Sequence, residues 1–387
     1  MNESGAGVVG VDVSLSTVCG QLLVVGFDGT SLPADLRESL GKGERGGVIL
    51  FRRNVQALDD QTTDIVQVAR LNAEVAAAAP ASLPPLVSVD QEGGRVKRLG
   101  PPLMQLPPMR VLGDLGDLAL VQAVGRAVGL ELAALGFNMS FAPVLDVATN
   151  PNNPIIGDRA FGADARTVMR CGVAYLRGLQ ASSVLGCGKH FPGHGDTELD
   201  SHLALPRVRH GRKRLDEIEL PPFRAAIGAG VAAVMTAHIV FDALDAGAPA
   251  TLSRAVVGSL LRAELGFEGL CISDDLCMQG VSPSAGKDPA EVSKIAVEAV
   301  EAGCDVLLVA HEGDSVRAAH AALVARAETD ARFRTRCIKS FERFVRIKRM
   351  APPRPVTDEK RLRELVGGET SREVMAQLAA LRERTKI

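Results

Sequence analysis

The residues best equipped for chemistry in this chain lie in one stretch. Lys189 to His202 reads KHFPGHGDTELDSH, fourteen residues holding three histidines, two aspartates, a glutamate and a lysine. Asp200 and His202 stand two apart across Ser201, close enough for a carboxylate to orient an imidazole, and such a pair moves protons at neutral pH. The preceding residues 184–188 are small and apolar, so the stretch reads as a strand running out into a loop. Pro192, Gly193 and Gly195 exclude a regular helix or strand there, and no helical period resumes before about Arg212. A connection of roughly 20 residues in a compact domain suggests a covering or catalytic segment.

The other ionisable residues fall in a pattern that says which elements must hold them. The apolar run 47–51 leads to Arg52, Arg53 and Asn54, and the run 86–89 to Asp90, Gln91 and Glu92. The run 141–145 leads to Asp146, and the run ending at Gly188 to Lys189 and His190. Then 233–237 leads to His238, 270–273 to Asp274 and Asp275, and 306–310 to His311 and Glu312. Helical patterns lie between these runs. Val121, Val124, Val128, Leu132 and Leu135 share one helix face, as do Val168, Cys171, Tyr175 and Leu179. Near-continuous apolar strands alternating with helices imply a parallel sheet covered on both faces. Polar residues at the end of every strand favour closure into an α/β fold of the (β/α)8 TIM-barrel type, because a barrel gathers all those ends around one mouth. A doubly wound sheet would need them only at its switch point. Seven strands are legible this way, and the eighth is not located.

Bulk properties agree with one large globular unit. The 387 residues are 46% hydrophobic and 23% charged, with a net charge of -2 and no basic block interleaved with aromatics, which argues against nucleic acid as a partner. With no Trp and one Tyr, aromatic platforms for long sugar chains are nearly absent, which favours a pocket for a small ligand. The amino terminus has neither a basic leader nor an apolar core, and no run is long enough to span a bilayer; a cytoplasmic protein without membrane contact is expected. Seven scattered cysteines with no Cys-x-x-Cys spacing read as reduced core residues. GxGxxG is absent, no cofactor is implied, and no protein partner is evident. Residues 1–350 are read as the catalytic barrel and 351–387, which begin Ala-Pro-Pro-Arg-Pro and end in a helical pattern at Val374, Leu378 and Leu381, as a peripheral helical extension packed on it.

The segment KHFPGHGDTELDSHLALP resembles the bacterial β-N-acetylglucosaminidases of glycoside hydrolase family 3, together with VDQEGGRVKRL at 89–99, FAPVLDVATNPNNPIIGDRAFG at 141–162, MTAHI at 235–239 and ISDDLCM at 272–278. The resemblance runs in order over roughly residues 15 to 350. It implies a single barrel without the second α/β domain of many family members, and exo-cleavage of a terminal β-linked N-acetylglucosamine, in the best-known members from muropeptides in peptidoglycan recycling. Carried over by motif, the nucleophile is Asp274, the acid/base is His202, and Asp200 orients it. Asp90, Arg98, Arg159, Lys189 and His190 would hold the sugar, with Asp90 and Arg98 on the loop after the second legible strand. Asp275 is read as a structural hydrogen-bonding residue and His194 as shaping the loop.

Retaining glycosidases need a carboxylate nucleophile and a proton donor, and a histidine titrating near neutrality can donate in the first step and accept in the second. Three alternatives stand beside this. His190, His194, Asp196, Asp200 and His202 could form the metal set of a barrel hydrolase, although Pro192 and Gly193 keep His190 and His194 off a common helix face; no metal is expected. A sugar-binding module would have no use for the Asp200–His202 pair. A β-N-acetylglucosaminide phosphorylase would use the same site, since an uncharged imidazole would let phosphate approach the glycosyl-enzyme.

Overall fold

A computed structural model of the chain describes residues 13–59, 61–197, 205–282, 284–311 and 313–386. Eight parallel strands form one sheet: β1 (Leu23–Val25), β2 (Gly47–Leu50), β3 (Leu86–Val89), β4 (Met139–Ser140), β5 (Leu185–Phe191), β6 (Ala233–Thr236), β7 (Leu270–Ile272) and β8 (Leu307–Val309). Their order is β7-β6-β5-β4-β3-β2-β1-β8, and a parallel bridge between Ile272 and Val306 joins the two ends, so the α/β barrel closes. Alternate strand residues face opposite sides. Val24, Ile49, Leu86, Met139, Cys187, Met235, Ile272 and Leu308 fill the interior, while Val25, Val48, Leu50, Val87 and Val309 pack under the helices. Burial on both sides is why the strands read as unbroken apolar runs rather than as alternating ones.

The covering helices start where the sequence supplies caps. Asp64, Asp117, Asp164, Asp288 and Asp330 each precede a helix and accept its first free N–H groups, a contribution of about 1 kcal/mol apiece. The two stripes read from the sequence are the helices Leu118–Ala134 and Ala165–Gln180, which pack on each other beside β4 and β5. The bottom of the barrel is stoppered by the helix Ala331–Met350, whose Phe344 and Ile347 enter the inner core. There the fully buried Lys348 Nζ donates to Gln21 Oε1 at 2.7 Å and to the Gly46 carbonyl at 3.0 Å.

Several expectations are corrected. The eighth strand is the first in the chain, Leu23–Val25, hidden because its three residues follow the helix Leu15–Gln21 after one residue, in an unbroken apolar run. The loop of Asp90 and Arg98 therefore follows the third strand, not the second. The fourth strand is Met139–Ser140, ahead of the expected 141–145, where Pro143 lacks the N–H to continue a ladder. The chain stays beside β5 nonetheless, with a bridge from Val144 to Lys189. The fifth strand does not stop at Gly188 but runs to Phe191, so Lys189 and His190 are strand residues. After Met350 there are two helices, Glu359–Leu365 and Glu369–Thr385, where one was expected. They dock through the buried Glu131, which accepts from Met104 N, Gly367 N and Ser371 Oγ and thereby ties the tail to the helix Leu118–Ala134. No described helix is long and apolar enough to cross a membrane.

Candidate active site

The carboxyl ends of β3, β5 and β7 and the turn Gly157–Arg159 converge on a cavity of about 160 Å³. Asp90 leaves β3 directly, and the chain then doubles back through Gly93 and Gly94, whose φ angles are 119° and 53°. A Cβ on Gly94 would sit 2.9 Å from the Cα of Pro108, so the reversal needs glycine there. The return strand of that turn brings Arg98 back over Asp90, where Nη2 donates to Oδ2 at 3.1 Å. Lys189 and His190 arrive from β5, joined by a cis peptide, and both line the cavity. Asp274 follows β7 after Ser273, and Phe141, Met235 and Leu308 supply an apolar floor from the barrel interior.

The charges form one buried network. Lys189 Nζ donates to Asp90 Oδ1 at 2.8 Å and to Glu92 Oε1 at 2.7 Å. Arg159 grips Glu92 with one edge of its guanidinium, Nη2 donating to Oε1 at 2.8 Å and Nε to Oε2 at 2.9 Å. Burial alone would raise the pKa of Asp90 and Glu92. The cations outweigh it: Lys189 and Arg98 hold Asp90 below the usual carboxylate range, and Arg159 and Lys189 hold Glu92 far below it. Lys189 and Arg159 are in turn pushed above their ordinary values despite burial, by Asp90 and Glu92 for the lysine and by Glu92 for the arginine. Both carboxylates are therefore ionised near neutral pH.

A histidine wall stands behind this network. Asp146, fully buried at the end of the β4 segment, pairs through Oδ2 with His190 Nδ1 at 2.7 Å, and its Oδ1 accepts from His190 N at 3.1 Å and His194 N at 2.7 Å. His194 meets the His190 ring edge-on at 5.6 Å. Its Nδ1 lies 2.8 Å from Thr197 Oγ1, whose own hydrogen goes to the His194 carbonyl, so Nδ1–H donates to the threonine. Burial, and then the neighbouring His190, draw the His194 pKa down to about 4, so this imidazole is neutral near pH 7. At β7, Asp274 Oδ1 accepts from Asp275 N at 2.8 Å. Asp275 turns away, taking the N–H of Cys277 at 3.1 Å and of Ala310 at 2.9 Å, which ties the end of β7 to the end of β8. His238 is not at the cavity: Nε2 donates to the Asp275 carbonyl at 3.0 Å and Nδ1 meets Thr251 Oγ1 at 2.8 Å, which braces the same turn.

Of the residues singled out from the sequence, Asp90, Arg98, Arg159, Lys189, His190 and Asp274 all line this one cavity. Asp200 and His202 lie outside the described residues. Among those described, no group of three or more His, Cys, Asp or Glu side chains is arranged to hold a metal ion. His190, His194 and Asp196 of the alternative metal set are directed at Asp146, at Thr197, and at Thr149 and His210 respectively. Sequence reasoning assigned no role in the network to Glu92 or Asp146. The available signal was the position of each just past an apolar strand, the same signal that marked Asp90 and Asp274.

A closed barrel that gathers carboxylates and cations around a small cavity at its carboxyl mouth has its site where barrel enzymes carry theirs. The sequence profile described as "Glycosyl hydrolase family 3 N terminal domain" matches residues 14–342, and the chain belongs to that family. It is 40% identical over 279 residues to a β-hexosaminidase of Neisseria meningitidis serogroup C (strain 053442), covering 70% of this chain and 73% of that one. A solved family 3 β-N-acetylglucosaminidase from Paenibacillus sp. str. FPU-7 superposes with a TM-score of 0.81 at 41% identity, over 92% of this chain and 69% of its own. NagZ from Neisseria gonorrhoeae in complex with N-trifluoroacetyl-D-glucosamine does so with a TM-score of 0.75 at 31% identity, over 93% and 97%.

Proposed function

We propose that the protein is an exo-acting, retaining β-N-acetylglucosaminidase that works through a covalent glycosyl-aspartate. The observation that carries this is the place of Asp274 in the cavity: it follows β7 at the position the family motif gives the nucleophile and lines the same pocket as Asp90, Arg98, Arg159, Lys189 and His190. A cavity of about 160 Å³, below the roughly 300–1,000 Å³ of pockets that enclose drug-sized ligands, suits one terminal sugar unit. Asp90, Arg98, Arg159, Lys189 and His190 together present acceptors and donors suited to vicinal hydroxyls and an acetamide carbonyl.

In the first step an Asp274 carboxylate oxygen attacks the anomeric carbon as the glycosidic C–O bond breaks, and His202 gives its proton to the leaving oxygen. In the second, His202 takes a proton from water, whose oxygen displaces Asp274. Support for His202, oriented by Asp200, is the family motif that both residues match, and the described pocket residues offer no competing proton donor. Glu92 and Asp90 hold no proton, His194 is neutral, and the His190 ring is committed to Asp146. The relatives named β-hexosaminidase and β-N-acetylglucosaminidase support the sugar. We assign residues 1–350 to the catalytic barrel and 351–387 to an extension bracing it, and the natural substrates to muropeptides of peptidoglycan recycling in the cytoplasm. Seven unpaired cysteines are compatible with a reducing compartment.

The test is release of p-nitrophenol from p-nitrophenyl β-N-acetylglucosaminide, unchanged by EDTA. Chelator-sensitive activity restored by zinc would replace the proposal with a metallohydrolase. Running the reaction with and without phosphate, and looking for N-acetylglucosamine 1-phosphate, decides between hydrolase and phosphorylase.

A further inference from the structure

The loop that follows β3 carries Asp90, Glu92 and Arg98 into the cavity, and the three are held unequally. Asp90 and Glu92 are fixed by Lys189 and Arg159, cations that are themselves buried. Arg98 is held more lightly. Among the described residues its guanidinium makes one hydrogen bond, Nη2 to Asp90 Oδ2 at 3.1 Å; it faces the Phe51 ring at 5.6 Å, and its buried Nε has no hydrogen-bond partner. Where this guanidinium stands is therefore set largely by the backbone that carries it.

That backbone is pinned first from within the loop. The buried Gln91 accepts through Oε1 from Arg98 N at 3.0 Å and Leu99 N at 3.1 Å, and its Nε2 donates to the Leu99 carbonyl at 3.2 Å. Gly94 N donates to the Leu106 carbonyl at 3.0 Å, so residues 94–106 close on themselves as a ring. A ring closed in this way takes its position from whatever anchors its far side. One anchor is Thr63, whose N donates to the Pro101 carbonyl at 2.7 Å and whose Oγ1 accepts from Gly100 N at 2.8 Å. The other is built from Glu131 and the carboxyl-terminal extension. Glu131 is buried with no cation beside it, and its Oε2 accepts from Met104 N of the ring at 2.9 Å. Its Oε1 accepts from Gly367 N at 2.9 Å and from Ser371 Oγ at 2.7 Å, both in the extension. Burial pushes this carboxyl above the usual range, and the donors from ring and extension act against that, so each supports the docking of the other through one side chain. Gly367 also lies against the ring directly: its φ is 66°, and a Cβ there would stand 2.3 Å from the Pro102 carbonyl oxygen.

We infer that the carboxyl-terminal extension belongs to the sugar-binding apparatus: Gly367 and Ser371, acting through Glu131 and residues 101–106 of the ring, are positioning residues for Arg98. The inference rests on the glycosidase reading, in which Arg98 contacts the sugar, and adds to it the groups that set where Arg98 stands. A side chain at 367 must displace the Pro102 carbonyl by about 1 Å to regain van der Waals distance. A shift of about 1 Å at the far end of the ring is enough to weaken a charge-assisted hydrogen bond made at the near end.

The experiment is a double-mutant cycle between the extension and Arg98 in the full chain, read as kcat and KM for p-nitrophenyl β-N-acetylglucosaminide and as inhibition by N-acetylglucosamine, with thermal unfolding recorded in parallel. Gly367→Ala is expected to raise KM and the inhibition constant together by about 5- to 30-fold, part of what a charge-assisted hydrogen bond contributes, with kcat within about a factor of two. Ser371→Ala should shift both in the same direction by about 2- to 5-fold, and Ser371→Thr, which keeps the hydroxyl, should restore them. In an Arg98→Ala background the Gly367→Ala effect on KM should shrink to less than about twofold, because the contact that the extension positions is already gone. Should Gly367→Ala fail to fold, the Ser371 pair in the two backgrounds carries the same comparison. A lowered Tm with KM unchanged overturns the inference and leaves the extension a brace. An effect of equal size with and without Arg98 overturns it as well, since the extension would then act by another route; both outcomes leave the glycosidase standing. Absence of N-acetylglucosamine release by the unmodified protein overturns the glycosidase reading and this inference with it.

Discussion

Glu92 is the residue whose replacement best separates a structural keystone from a proton donor. Its side chain is 2% exposed and takes three hydrogen bonds from cations that are themselves almost buried, Arg159 at 10% and Lys189 at 4%. Glu92→Gln keeps the shape but offers one oxygen. Facing Lys189 and Arg159 Nη2, that oxygen retains two bonds with a neutral acceptor, and the amide NH2 then opposes Arg159 Nε, donor to donor. One charge-assisted bond of about 1.5–3 kcal/mol is lost and two weaken by roughly 1 kcal/mol each, so the expected cost is about 4 kcal/mol. This agrees with the roughly 3–5 kcal/mol lost when one member of a buried ion pair is neutralised. Against a total stability of about 5–15 kcal/mol the loss is easily measured as a lower urea midpoint at unchanged slope. Activity should fall as well, because Lys189 and Arg159 lose the carboxylate that holds them, and it should fall by the same factor for p-nitrophenyl and 2,4-dinitrophenyl glycosides. A stability loss under about 1 kcal/mol, with slowing confined to the poorer leaving group, would refute the keystone argument and make Glu92 the proton donor.

His202→Ala should behave oppositely, slowing substrates with basic leaving groups by about 10²–10⁴-fold while the dinitrophenyl glycoside still reacts and shows a burst of phenolate; equal losses for both would remove His202 from the acid role. Asp200→Ala should give the same pattern in weaker form. Asp274→Asn should abolish turnover, whereas Asp275→Asn, which keeps an oxygen for Cys277 N and Ala310 N, should retain much of it; a fluorosugar label found on any carboxylate other than Asp274 contradicts the assignment. Stability should also decline on mild acidification. His194 titrates near 4 in the fold against about 6.5 in the unfolded chain, so between those values only the unfolded chain binds the proton. Stability is then highest above pH 6.5 and loses about 3 kcal/mol on the way down to pH 4. His194→Gln should flatten that part of a urea-midpoint profile, and an unaltered slope would mean that another group titrates there.

How much of this was present in the sequence can be judged from particular elements. The longer strands announced themselves because burial on both faces makes them continuous apolar runs, and their polar ends pointed to a mouth, from which Asp90, Lys189, His190 and Asp274 could be named. The strand Leu23–Val25 did not, because three apolar residues beside a helix carry no period that separates strand from helix. The reach of β5 through Phe191 was hidden for a related reason: Lys189 and His190 look like loop residues, and only the carboxylates waiting across the barrel make a lysine tolerable on a buried strand.

What the linear chain determined by itself was therefore the inventory and its local geometry: periodicity, caps at the aspartates, the Gly93–Gly94 reversal, and the identity of the ionisable groups. What only the tertiary structure decided was which charges meet. Glu92 and Arg159 are 67 positions apart and Asp90 and Lys189 99 apart, and no local propensity couples them. Closure of the barrel does, by bringing the strand ends into one low-dielectric space where a carboxylate without a cation would be too costly to keep ionised. That pairing keeps Asp90 and Glu92 ionised near neutral pH and, with His190 held on Asp146 beside them, rests on distances between elements and not on the order of residues along the chain.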